Sequence, residues 1–187
     1  MKGFQFENWD EFVAHYDPKI LNQAMNSAIR KSLMETRTEI SKNIRKVYNV
    51  KARDIGATVT LKKLSYIPPE YMLDYFGYRV SLRNYAARAK MVESRRGARK
   101  GVTVRVKKKR RLVKGGFFGP RGYPVYLRTG VWKNGKEQIQ KHSGLAIPQM
   151  IQGKDQLRLA YDFMGKRMPP IFAREVRFYQ KRAEGKV

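Results

Sequence analysis

A helical periodicity of about 30 residues, close to the N-terminus, most constrains the fold of this chain. Asp17 and Pro18 precede it; aspartate is a good N-cap, and proline fits the first helical position. Apolar or small side chains then recur at helical spacing: Leu21, Met25, Ala28, Ser32, Thr36, Ile40, Ile44 and Val47. Such a helix spans about 45 Å, more than the width of a compact domain of this size, so we expect part of it to overhang and contact another subunit. The alternative is a break near Ser27 or Ser41.

Shorter helices are predicted on either side of this periodicity and at the C-terminus. Asn8 and Glu11 have the spacing of a capping box. Asn49 can cap a second helix over residues 51–62, before the Pro68-Pro69 pair forces an extended turn. The C-terminal part carries two apolar stripes, Leu157, Ala160, Tyr161 and Met164, then Ile171, Phe172, Val176 and Tyr179. The Pro169-Pro170 pair between the stripes predicts a kinked or split helix.

The middle of the chain has the alternation of half-buried strands. Apolar side chains alternate with polar or small ones over residues 71–82 and again over residues 102–106. A third strand is predicted over residues 124–128, followed by a polar turn at Asn134-Gly135. Residues 143–151 are a short apolar segment that Pro148 keeps out of a central strand.

The positive charge is concentrated in residues 88–114, the basic block, where thirteen Lys or Arg residues face one acid, Glu93. The block supplies +12 of the formal net charge of +26. A chain so unbalanced repels its own copies and attracts polyanions, so we expect a partner with phosphates or an acidic protein surface. Residues 84–101 and the run 107–111 predict a hairpin with a long basic tip.

These patterns together predict an α+β fold. A long N-terminal helix and C-terminal helices pack on a small, mostly antiparallel sheet with a long basic hairpin arm. With 42% hydrophobic residues, the 187-residue chain is expected to fold as a single domain. Its parts are a helical N-terminal part at 1–67, strands at 71–130 with the basic arm at 88–114, and C-terminal helices at 152–184.

Composition and spacing argue against an enzyme and against a membrane protein. The chain has no Cys and two His, too few for the usual zinc ligand sets. The glycines at 115–122 precede a strand and lack the Gly-Lys-Ser/Thr ending of a phosphate-binding loop. A nuclease built on Asp54, Glu70, Asp74 and Asp162 is an alternative, but surface and capping roles explain these carboxylates better. We therefore predict no catalytic residues, cofactor or metal, and, without a signal peptide or apolar span, a chain kept in the cytosol.

The basic block supplies the candidate contact residues. Cations that can contact phosphates are Arg95, Arg96, Arg99, Lys100, Lys107, Lys108, Lys109, Arg110, Arg111 and Lys114. Phe117, Phe118 and Tyr85 are available to stack on unpaired bases. Two alternatives stay open: a solvated loop beside buried phenylalanines, and a basic arm lying across an acidic neighbouring subunit.

Several segments in order resemble the phage minor tail protein Z family. In the N-terminal part they are residues 24–30 (AMNSAIR), Thr36-Arg37 and residues 47–55 (VYNVKARDI). Further along they are residues 78–83, 101–108, 116–118 and 125–128, then residues 145–150 (LAIPQM) and the C-terminal helix.

The resemblance implies a structural virion protein made in the host cytoplasm and located at the head-proximal end of a long tail. It implies a role in tail completion and head-tail joining beside the tail terminator and other neck and tail proteins. A homo-oligomeric ring, a hexamer under the symmetry of the tail, is expected, with possible contact to the end of the genomic DNA. The alternative function is sequence-tolerant nucleic-acid binding through the basic arm.

Overall fold

The computed structural model describes residues 15–93, 97–119 and 124–186, without the side chains of Arg99 and Lys154. The predicted helix at Asn8 lies outside the described residues. The chain forms two compact units, each built from separated stretches. The first unit comprises Met1–Ile40, Val59–Asp74 and Lys154–Val187, and the second comprises Ser41–Thr58 and Tyr75–Gly153.

The long N-terminal helix is confirmed. Helix α1, Pro18–Val47, runs 30 residues without interruption, so the alternative of a break at Ser27 or Ser41 is wrong. The backbone N–H of Lys19 donates to Asp17 Oδ1 at 2.7 Å, as expected of an N-cap. Buried side chains recur along one face of the helix from Leu21 to Ile44. The expected contact of this helix with another subunit stays a prediction.

The first unit has a helical core between α1 and the C-terminal helix α4, Lys154–Ala183. Its buried side chains are Leu21, Ala24, Ala28, Ile171, Phe172 and Val176. Ala24 and Ala28, the small side chains of α1 in this core, are fully buried. Ion pairs join Lys31 to Glu175 and Glu35 to Arg167, so the helices run antiparallel.

Of the predicted kink or split at the Pro169-Pro170 pair, the split is wrong, because one helix continues through both prolines. Both prolines lie inside α4 and are exposed. Met168 before them and Ile171 and Phe172 after them are buried. Packing on both sides of the pair therefore outweighs the lost backbone hydrogen bonds, whose carbonyl acceptors water can reach.

The predicted helix over residues 51–62 is also largely wrong. Helix α2 covers only Ala52–Gly56, where Ile55 is buried. Strand β1, Val59–Tyr66, follows and pairs with strand β2, Pro69–Tyr75, across the turn at Pro68. The β-branched run Thr58, Val59 and Thr60 favours this strand.

In the second unit the strands form small antiparallel sheets. Strand β3, Arg79–Ser81, leads into a 3-10 helix, Leu82–Tyr85. Strands β4 (Arg88–Val92), β5 (Arg99–Val104) and β6 (Arg111–Val113) form one three-stranded sheet. Strands β7 (Gly116–Phe118), β8 (Val125–Lys133) and β9 (Lys136–Lys141) form another. Strand β10, Ser143–Ala146, pairs with β3 and continues into helix α3, Ile147–Ile151, where Pro148 sits in the first turn.

The third predicted strand is longer than expected, and the Asn134-Gly135 turn is confirmed. Strand β8 continues to Lys133, which is paired with Lys136 across the turn. Asn134 and Gly135 have φ angles of 51° and 69°, as in the two-residue turns that suit the twist of a hairpin.

The α+β class is confirmed by these long helices and small antiparallel sheets. The single long basic hairpin arm is not confirmed, because the described part of the basic block contributes three strands and their turns to one sheet. None of the helices in the described ranges is both long and apolar enough to span a membrane.

Candidate polyanion-binding surface

The described part of the basic block forms a sheet in which the described cations are exposed and the middle strand is largely buried. Strand β5 is the middle strand, and Val102, Thr103 and Val104 are all buried. Its neighbours place Arg88 opposite Thr103 and Lys90 opposite Gly101. Exposed cations thus line the sheet while β5 anchors it.

Gly101 is required by close packing on this sheet. A Cβ at this position would meet Val92 Cγ2 at 2.8 Å and Leu112 Cδ1 at 3.5 Å. Directly opposite residues of antiparallel strands share a face, so Lys90 projects on the same side as these apolar groups. The ammonium group reaches water while the side-chain stem covers apolar surface.

The densest charge lies in the turn at residues 105–110, between β5 and β6. Lys107, Lys108 and Lys109 are exposed, as are Lys100, Arg111 and Lys114 on the neighbouring strands and turn. Lys107 Nζ lies 5.7 Å from the centre of the Tyr48 ring, within the range of a cation–π interaction. Within the described ranges, Lys108 and Lys109 form no salt bridge.

Arg110 has a structural role that the sequence did not reveal. Its NH1 group donates to the carbonyl oxygens of Ala86 at 2.8 Å and Thr103 at 3.2 Å. The same group lies 3.4 Å from the Thr103 hydroxyl oxygen. These bonds tie the turn to the strand before it, so Arg110 is less available to a ligand than the lysines.

The aromatic candidates are mostly engaged within the protein. Phe117 and Phe118 are half-buried on β7. The Phe117 ring stacks on Tyr126 with centroids 6.0 Å apart, and the Arg128 guanidinium carbon lies 5.4 Å from its centre. The phenylalanines therefore belong to the sheet, with part of their surface still accessible.

The prediction that Tyr85 stacks on bases is wrong. Its side chain is fully buried, and its hydroxyl donates to the carbonyl oxygen of Leu145 at 3.1 Å. Burial, with smaller contributions from Tyr48 and Asp54, raises the pKa of Tyr85 well above its ordinary value. The residue is part of the core of the second unit.

Three of the predicted contact residues have no described side chain. Arg95 and Arg96 lie outside the described residues, and Arg99 is described only through its backbone in β5, where it pairs with Val92.

An exposed ribbon, formed by β8 and β9 beyond Arg128, was not predicted as a candidate surface. Val131, Trp132 and Ile139 are 59%, 68% and 52% exposed. The ribbon is held at its bulge by Glu137, whose carboxylate accepts from Arg128 NH1 at 3.0 Å and from the Gly130 N–H at 3.3 Å. The signal for this hairpin was the Asn134-Gly135 pair, a common two-residue hairpin turn, which follows Val131 and Trp132.

No metal centre emerges from the carboxylates. Within the described residues, no three His, Asp or Glu side chains group closely enough to hold a metal ion. Asp74 pairs with Lys62 Nζ at 2.6 Å, and Asp54 lies 3.4 Å from the Asn84 amide nitrogen. Both carboxylates thus have ordinary surface partners.

The geometry is that of an exposed cationic surface on a rigid sheet. Such a surface attracts phosphates or carboxylates without covalent chemistry. In comparisons with models of protein families, with curated proteins and with solved structures, nothing matches this chain significantly.

Proposed function

We propose that this chain is a structural virion protein of a long-tailed bacteriophage that completes the head-proximal end of the tail and helps to join it to the head. The observation that carries the proposal is the ordered series of segments resembling the minor tail protein Z family, which extends from residue 24 to the C-terminal helix. The expected neighbours are the tail terminator and other neck proteins, around a ring of copies of this chain.

The positions of these segments in the fold support the proposal. Ala24 and Ala28 of the first segment are buried against α4. Other segments supply Ile55, Val102 and Val125 to the buried interior of the second unit, and LAIPQM supplies Ile147 and Met150. The resemblance therefore concerns residues that specify a core, which are the residues expected to be shared among proteins of one fold.

The charge supports an assembly role with acidic neighbours. Copies that each carry +26 repel one another in a ring unless other components neutralise the charge. The exposed cations at Lys107–Lys109 and on the flanking strands suit an acidic ring surface, or DNA at the end of the tail.

The test is quantitative mass spectrometry of purified virus particles from the source culture, with heads and tails also measured separately. We expect a few copies per tail and none in tail-free heads. Absence from purified particles, or a copy number that follows contaminating host proteins through the purification, would overturn the proposal.

A second candidate function is sequence-tolerant nucleic-acid binding. The observations that favour it are the exposed cations Lys108, Lys109 and Arg111 and the half-buried Phe117 on β7. Phosphate contacts from such cations make binding strongly salt-dependent without selecting a sequence.

Replacing Lys108, Lys109 and Arg111 with Gln is expected to flatten the dependence of log K on log salt concentration. The slope changes by about 0.9 for each phosphate that is no longer neutralised, or up to about 2.7 for the triple variant. Arg110 stays unchanged because it holds the turn in place. The measurement is fluorescence anisotropy with a labelled duplex at a series of salt concentrations.

The control for this experiment replaces Arg158, Lys166 and Arg177 with Gln, since these exposed cations on α4 give the same change in net charge. We expect a smaller change in slope than for the turn variant. Equal slopes for the two variants would show that net charge alone governs binding, and would remove the turn as a nucleic-acid site.

A further inference from the structure

The first unit contains a cavity of about 760 Å³ that is separate from the basic block. The start of α1, the β1–β2 hairpin and the last turns of α4 line it. Cavities of about 300–1,000 Å³ are typical of sites that hold small molecules or cofactors, so this one has room for a few side chains of a bound segment.

The lining of this cavity is strongly cationic. It includes Lys19, Arg30, Lys63 and Arg182, against one carboxylate, Asp17. In the part of the chain that the structure describes, none of these four cations forms a salt bridge. Four cations facing one open volume repel each other, and a bound anion relieves that repulsion.

One of these cations, Lys63, lies over two aromatic rings of the hairpin. Lys63 Nζ lies 3.7 Å from the centre of the Tyr66 ring and 5.6 Å from that of Tyr71. The Tyr71 hydroxyl is 3.2 Å from Asn26 Oδ1, which links the hairpin to α1. The cavity wall is thus fixed by contacts on both α1 and the hairpin.

We propose that this cavity binds an acidic peptide segment of another protein. Its arginines present several N–H donors in a planar fork that matches a carboxylate. Gln23 and Tyr179 add side chains that both donate and accept, which suits peptide groups. The backbone of a nucleic acid offers only hydrogen-bond acceptors, whereas a peptide backbone offers both donors and acceptors. The Asp17 carboxylate repels a phosphate group but can accept a hydrogen bond from a peptide N–H. This proposal does not depend on the role in a phage tail.

The test uses a fluorescein-labelled, glutamate-rich peptide of about ten residues, with binding followed by fluorescence anisotropy. The variant carries Arg30→Gln and Arg182→Gln, and both residues are exposed, so the fold is expected to tolerate the change. The matched control carries Arg158→Gln and Arg177→Gln, with the same change in net charge. We expect the cavity variant to bind about tenfold more weakly and the control to change less than twofold.

A second measurement locates the peptide on the wild-type protein. Acetylation of lysines, read by mass spectrometry, should fall at Lys19 and Lys63 when the peptide is bound and stay constant at the exposed Lys166. Equal loss of affinity in the two double variants, or no protection of Lys19 and Lys63, would overturn the proposal. Protection by single-stranded oligothymidine but not by the peptide would also overturn it, in favour of a nucleic-acid site.

Discussion

Tyr85→Ala is expected to lower the free energy of unfolding by about 3 to 5 kcal/mol, the usual cost of removing a large buried aromatic side chain. Among the described residues, Tyr85 is the largest fully buried side chain. Its removal leaves a cavity beside β10 and also leaves the Leu145 carbonyl without its hydroxyl donor. Urea unfolding followed by circular dichroism measures the effect.

Two milder variants separate packing from hydrogen bonding at the same place. Tyr85→Phe keeps the ring and loses the bond to Leu145, at an expected cost of about 1 to 2 kcal/mol. Gly144→Ala keeps the hydroxyl but places a methyl group against the Tyr85 ring, with Cζ at 3.0 Å, at an expected cost of about 1 to 3 kcal/mol.

The control for these variants is Tyr78→Ala, because Tyr78 is 97% exposed. Its effect should stay within about 0.5 kcal/mol. A loss for Tyr85→Ala no larger than that of Tyr78→Ala would contradict the central place of Tyr85 in the second unit. It would also reopen the possibility that Tyr85 acts at the surface.

Local sequence signals predicted a helix correctly where the tertiary packing favours the same structure. The cap at Asp17 and the periodicity to Val47 are both short-range, and α1 has those bounds. At Pro169 and Pro170 the helix is not split, and Met168, Ile171 and Phe172 are buried on both sides of the pair. Sequence spacing alone cannot reveal such packing.

Strand pairing was harder to predict from the sequence. Residues 88–92 (RAKMV) lack regular alternation and are typical of a loop, yet they pair with β5 over its length. Their partner is chosen by contacts distant along the chain, among them the buried Thr103. The strand at Val59–Tyr66 is not evident in the sequence because Val59 and Leu61 also fit a helical stripe.

The candidate surface was predicted in outline and not in its details. The cations at Lys107–Lys109 are exposed, as expected of a run of like charges. The structural role of Arg110 depends on carbonyls of Ala86 and Thr103, and so required the fold. The cavity beside Arg30 and Arg182 joins residues more than a hundred positions apart, which no local pattern connects.

Lys31→Met is expected to destabilise the protein by about 2 kcal/mol at pH 7. Glu175 is 3% exposed, and its Oε2 accepts from Lys31 Nζ and from Ser27 Oγ, each at 2.7 Å. Without the ammonium group, the buried Glu175 carboxylate keeps only the Ser27 hydroxyl and Arg174, whose Nε lies 3.5 Å from Oε1. Breaking a fully buried ion pair costs about 3 to 5 kcal/mol. We expect only about 2 kcal/mol here because the Lys31 side chain is half-exposed.

The pH dependence of this loss follows from the direction of the Glu175 pKa. Burial, the largest single influence, would raise this pKa. The hydrogen bonds from Lys31 and Ser27, together with the charges of Lys31 and Arg174, outweigh burial and hold the pKa below its ordinary value. A carboxyl whose pKa is lowered by folding stabilises the protein above its unfolded pKa, near about 4.3, and loses that contribution as pH falls through the folded pKa. The difference in free energy of unfolding between wild type and Lys31→Met should therefore be full at pH 7. It should shrink as the pH falls through the pKa of Glu175 first in the variant and then in the wild type.

Urea unfolding of both proteins at pH 7, 5, 4 and 3 measures this difference, with Lys166→Met as the control for loss of one exposed lysine. Adding Glu175→Leu to Lys31→Met should recover much of the stability at pH 7, because an apolar side chain replaces the unpaired charge between two packed helices. A loss that is equal at every pH would mean that the Lys31 stem contributes through packing and its charge does not. Recovery in the double variant would then fail as well, so the two measurements together decide whether the ion pair or the apolar stem holds α4 against α1.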